Sequence, residues 1–89
     1  MNPNEISQEQ LNSIVNDIKM TPTVSSNIIA LGYDKNNKIM RVLFKGNSSY
    51  IYFNVEQAVF DTICNSESKG KSLNECVVRH KDKYKYIKL

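Results

Sequence analysis

The chain has 89 residues, enough for one core of modest size and too few for two independent ones, because a domain this short leaves much of its surface wet. A hydrophobic share of 40% fits a globular fold, and no apolar run reaches the roughly 18 to 20 residues of a membrane span. Net charge is only +3 but uneven, with one lysine against four acids in residues 1–34, four basic residues against three acidic in 35–68, and seven against two in 69–89. The basic end is a candidate phosphate-facing surface, with a solvated helix face and a loose basic tail as the plain alternative.

Met1-Asn2-Pro3-Asn4-Glu5 lacks a basic start followed by a greasy stretch, so the cytoplasm is the expected compartment. The first helix is marked by Ser7 as N-cap with Gln10 three residues on, a capping box that satisfies two orphan backbone donors reciprocally. Ile6 and Leu11 form the matching hydrophobic staple, and Leu11, Ile14, Val15 and Ile18 fall on one helical stripe before Pro22 closes the segment. Such a stripe needs an apolar surface, on its own sheet or on another copy of the chain.

Three strands follow. Residues 24 to 33 are rich in β-formers and end at Asp34-Lys35-Asn36-Asn37, whose side chains can hydrogen-bond their own backbone in a turn. Residues 38 to 45 alternate, and Gly46-Asn47 makes the next reversal into residues 48 to 54. The simplest meander puts Met40, Val42, Phe44, Ile51 and Phe53 on the core side. Ile39, Leu43, Tyr50 and Tyr52, interleaved with Arg41 and Lys45, then share a face too apolar for water and too polar for a plain core. Its cover is the N-terminal helix, a neighbouring subunit, or a ligand whose rings stack on tyrosine.

Asn54 is the expected N-cap of a helix over residues 55 to 66 that points Val59, Phe60 and Ile63 inward. Ser72 and Glu75 suggest a second capping box, opening a short helix with Leu73, Cys76 and Val77 inward. The tail, Tyr84 to Leu89, alternates as an edge strand would. The fold class is therefore α+β, with an N-terminal amphipathic helix, a three-stranded antiparallel meander, two short helices and a terminal strand. Cys64 and Cys76 lack metal-type spacing and read as buried thiols rather than a disulfide.

In order along the chain, Ser25-Ser26-Asn27-Ile28, Leu31-Gly32-Tyr33-Asp34, the Tyr50-x-Tyr52 pair, Ser68-Lys69-Gly70-Lys71 and Asn74 resemble the KTSC domain, named for its occurrence at the C-terminus of some lysyl-tRNA synthetases. The resemblance divides the chain into a helical extension, residues 1–23, and a KTSC-like domain, residues 24–89. It implies a small domain, common in bacterial and phage proteins, for which RNA binding has been suggested, and no enzyme activity. Where the family often has an aromatic after the Gly-Lys step, this chain has Ser72-Leu73.

No catalytic constellation stands out. Gly70-Lys71-Ser72 echoes the end of a P-loop, but position 65 is Asn and no strand precedes it. His80 has no nucleophile and acid beside it in the pattern and reads as a residue at a helix C-terminus. The expected function is non-catalytic binding of a small nucleotide, with no cofactor and no metal. Tyr50 and Tyr52 would stack on bases, Arg41, Lys45, Lys69, Lys71 and the amides around Gly70 would meet phosphates, and Ser25, Ser26 and Asn27 would supply hydrogen bonds. A pocket closed between subunits predicts a homo-oligomer. A composition heavy in Asn, Lys and Ile has an AT-rich look and fits a phage or low-GC bacterium, in whose host cytoplasm such a protein would sequester a cyclic oligonucleotide immune signal. Single-stranded RNA binding and a protein-interaction module are the alternatives.

Overall fold

The computed structural model describes residues 3–89. After a 3-10 turn, Pro3–Glu5, come α1 (Gln8–Asp17), β1 (Met20–Pro22), β2 (Ile28–Asp34), β3 (Ile39–Phe44), β4 (Ser49–Tyr52), α2 (Gln57–Cys64), α3 (Lys69–Leu73), a π-helical continuation (Asn74–Val78) and β5 (Tyr86–Lys88). The strands form one antiparallel sheet in chain order, β1-β2-β3-β4-β5. The mixed α+β class and the terminal strand agree with the sequence pattern. The sheet has five strands rather than three plus a terminal one, because β1 is a three-residue strand that the pattern does not announce. None of the helices among the described residues is long and apolar enough to cross a membrane.

The sheet is covered on both faces. On one lie Leu11 and Ile18, at either end of α1, packed with Ile39, Ile51 and Phe53, and Ile6, Ile14 and Val15 complete that cluster. On the other, Leu31, Met40, Val42 and Tyr52 pack with Ile63, Leu73 and Val77 from the helices. The capping box forms as the sequence predicts, with Ser7 Oγ accepting from Gln10 N–H and Gln10 Oε1 accepting from Ser7 N–H, at 3.1 and 3.0 Å. The apolar stripe of α1 thus lies on its own sheet. The helix ends at Asp17, before Pro22, because Ile18 is already extended and the chain turns directly into β1.

The expected distribution of side chains between the two faces needs correction. Val42 stands opposite Tyr50, and Met40 opposite Tyr52. A two-residue Gly46-Asn47 turn would instead set Val42 opposite Ile51. Phe44 N–H donates to the Ser48 carbonyl at 2.8 Å, so Lys45, Gly46 and Asn47 form a three-residue loop, with Gly46 and Asn47 at φ of 90° and 67°. That single added residue carries Tyr50 and Tyr52 to the face of Met40, Val42 and Phe44, and Ile51 and Phe53 to the α1 face, since a one-residue slip exchanges every side chain.

Local starts differ in three other places. Strand β2 begins at Ile28 rather than at residue 24, because Ser25 Oγ accepts from the Asn27 and Ile28 amides and holds residues 25 to 28 in a turn. Asn54 has φ of 59° and does not cap α2, which starts after Glu56 without a side-chain cap. Ser72 N–H donates to the Ser68 carbonyl at 2.9 Å, which places Ser72 inside α3 and excludes the second capping box. The Asp34 turn is as predicted, with Oδ1 accepting from the Asn36 and Asn37 amides.

Candidate functional site

An open groove of about 600 Å³ lies between the sheet and the α3–π helix. Its aromatic lining follows from strand alternation. Tyr50 and Tyr52, two apart on β4, point to the same face, and β5 sets Tyr86 opposite Tyr52. The Tyr50 and Tyr52 rings are near-parallel with centroids 6.3 Å apart, and Tyr86 lies 5.9 Å from each. Phe44 meets Tyr50 edge-on at 5.6 Å. Tyr84, 3% exposed, also lines the groove.

Two lysines, Lys45 and Lys81, line the groove and no carboxylate does. Lys88 Nζ stands 6.0 Å from the Tyr50 ring centroid, within cation–π range. Lys38 and Glu56, neither of which lines the groove, form an ion pair at 2.9 Å. The groove therefore offers aromatic surface beneath positive charge. Burial, then neighbouring Tyr50 and Tyr86, pushes the Tyr52 phenol up to about 12, so its hydroxyl stays a neutral donor at ordinary pH.

The helix side brings two distant sequence pieces together. The Ser25–Asn27 turn lies against α3 at Gly70, where a β-carbon would stand at ordinary contact distance, 3.6 Å from Asn27 Nδ2 and 3.8 Å from Ser25 Oγ. Asn74 follows one helical turn after Gly70, its amide donating to the Gly70 carbonyl, and begins the π-helical turn that ends at Val78. Both Asn74 and Val78 line the groove. A π turn widens the helix locally, and such turns are common beside functional sites.

Of the residues expected in a site, Asn27, Lys45, Tyr50, Tyr52 and Gly70 meet in this groove. Ser25, Ser26 and Lys69 line a separate shallow cleft of about 300 Å³ with Val24, Glu67 and Ser68. Lys71 is exposed on α3 and lines neither. Arg41 lies on the opposite sheet face, beneath α1, with Nε donating to Ser49 Oγ at 3.3 Å and Nη1 to the Val15 carbonyl at 3.5 Å. The shared face expected for Arg41 and the tyrosines is thus corrected by the loop length. Lys81, Tyr84 and Tyr86 belong to the groove and were not singled out by sequence, although the alternation of the tail was a signal for the last two.

Several residues with reactive side chains are engaged elsewhere. Cys64 and Cys76 are free thiols packed against the helix-side core, and burial, then Asp61, raises the Cys64 thiol against an opposing effect of Lys69. His80 Nε2 lies 2.9 Å from the Glu75 carbonyl, near the end of the π turn.

Known proteins fit this picture. The KTSC domain family model matches residues 24–86. The crystal structure of a KTSC domain protein from Yersinia pestis superposes with a TM-score of 0.73 at 25% identity, covering 81% of this chain and 97% of that one. A curated relative from Tsukamurella paurometabola, named simply "Protein", is 40% identical over 58 residues, 65% of this chain and 87% of its own length. With the family pattern spanning well over half of its length, the chain belongs to the KTSC domain family.

Proposed function

We propose that this KTSC domain is a non-catalytic nucleotide-binding module whose site is the tyrosine groove. The carrying observation is the coincidence, in one open groove of about 600 Å³, of Tyr50, Tyr52 and Tyr86 with Lys45 and Lys81 and no carboxylate. That volume lies within the roughly 300 to 1,000 Å³ of small-ligand sites. Unpaired bases stack on aromatic rings, and lysine meets phosphate as a point charge. The described residues that line the groove include no cysteine, histidine, aspartate or glutamate, which supports holding a ligand rather than transforming it.

In its narrower form the ligand is a cyclic oligonucleotide immune signal, sequestered in the host cytoplasm by a phage-encoded homo-oligomer whose second subunit closes the groove. The open side of the groove leaves room for that cover. Single-stranded RNA is the second reading, favoured by the exposed lysines 81, 83 and 88, the first lining the groove and the other two standing near the rings of the groove residues Tyr84 and Tyr50.

Thermal melting of the full chain with cyclic dinucleotides, linear dinucleotides and short RNAs tests all three. A ligand at about 100 times its dissociation constant adds roughly 2.7 kcal/mol to the stability of the native state. A shift with one cyclic nucleotide supports sequestration, whereas affinity that grows with strand length and falls steeply with salt supports RNA. No shift with any nucleotide overturns the proposal and leaves a protein partner to be sought.

A further inference from the structure

Resting on the nucleotide reading, we infer that the groove selects adenine, with the side-chain amides of Asn27 and Asn74 reading the base edge. Both residues line the groove, and both sit on its helix side. Asn27 Nδ2 lies against Gly70, and Asn74 is one helical turn further along, which puts the two amides on one wall. Both residues are exposed, and neither side-chain amide has a hydrogen-bond partner among the described residues.

The chemistry of the lining narrows the base. On the Hoogsteen edge, the edge probed by removing N7, an amide's adjacent donor and acceptor complement adenine N6 and N7, whereas guanine O6 and N7 call for two donors and the pyrimidines present no adjacent donor–acceptor pair. The lining contains two asparagines, no arginine and no carboxylate. Lys45 and Lys81 are the groups left for phosphate, so the division of labour is stacking by tyrosine, charge by lysine and base identity by asparagine.

The test is calorimetric titration of the full chain with pApA, pGpG, pCpC and pUpU, repeated with Asn27→Ala and Asn74→Ala and with a 7-deazaadenine form of pApA. The expected result is pApA binding about tenfold tighter than the other three, a preference reduced by either substitution and by removal of N7. Circular-dichroism melts keep folding in view, since both side chains are exposed and their loss should leave the melting curve in place. Equal affinity for all four, or a preference for pGpG that would mark lysine as the base reader, overturns adenine selection while the nucleotide site stands. Substitutions that weaken all four ligands equally also overturn it, because they would make the asparagines general contacts. Failure of every dinucleotide to bind overturns the nucleotide site itself.

Discussion

Asn27 and Gly70 touch across the joint between the β1–β2 connection and α3, with Asn27 Nδ2 3.6 Å from the point a Gly70 β-carbon would occupy. That separation is an ordinary van der Waals contact, and Gly70 does not require a left-handed backbone. Gly70→Ala should therefore stabilise the domain by about 0.5 kcal/mol through helix propensity. The melting temperature should rise by roughly 2 to 4 °C. A fall in a thermal scan would mean that the contact cannot accept a methyl group.

Gly32 is the opposite case. A β-carbon there would meet Ile18 Cγ2 and Met20 Sδ at 2.6 Å and the Lys19 carbonyl oxygen at 2.8 Å. The last is backbone at the α1–β1 junction and cannot swing aside as a side chain could. Gly32→Ala is expected to cost about 2 kcal/mol by overpacking. Urea unfolding measures it, and a change below about 0.5 kcal/mol, the range of a neutral surface substitution, would contradict the close approach.

These two glycines separate the family-like motifs by their roles. Gly32-Tyr33-Asp34 is architectural, since Gly32 admits the α1–β1 junction, Tyr33 Oη donates to the Val55 carbonyl at 2.6 Å and Asp34 caps its turn. Asn27, Tyr-x-Tyr and Gly70 converge on the groove. The α1 capping box was legible because it depends on residues three apart, and the β3 and β4 alternation was legible because it is local. Which face the tyrosines take was not, because it turns on whether Lys45 belongs to the strand or to the loop. Strand β1 was hidden by its shortness and by Pro22, and it is held by pairing with residues 30 to 32. The groove needed both of these long-range facts, together with Tyr86 and Lys81 brought in by the tail.

Tyr52 predicts a pH dependence. Its folded pKa of about 12 lies above the ordinary 10, so above pH 10 the unfolded chain loses this proton first and stability falls as pH rises. The contribution is fully present below pH 10 and is lost as pH approaches 12, amounting to something on the order of 2 kcal/mol. Tyr52→Phe should flatten that part of the curve. Urea midpoints for both proteins from pH 8 to 12 isolate it, because the lysines and other tyrosines are common to the two, and parallel curves would refute the assignment.

The two sheet faces predict opposite behaviour for Tyr86 and Arg41. Tyr86 is 47% exposed on the edge strand, where it borders the groove beside Tyr50 and Tyr52. Base stacking on one aromatic ring contributes about 1 to 3 kcal/mol, so Tyr86→Ala should weaken nucleotide binding about tenfold or more. Its effect on stability should be modest, because nearly half of the residue already stands in water. Arg41 holds Ser49 and the Val15 carbonyl beneath α1. Arg41→Ala should lower stability by about 1 kcal/mol through those two bonds and leave nucleotide affinity as it was. Unfolding and titration of the two variants separate the faces, since a loss of affinity on removing Arg41 would require the ligand to reach the α1 side of the sheet. The tyrosine groove could not then be the site.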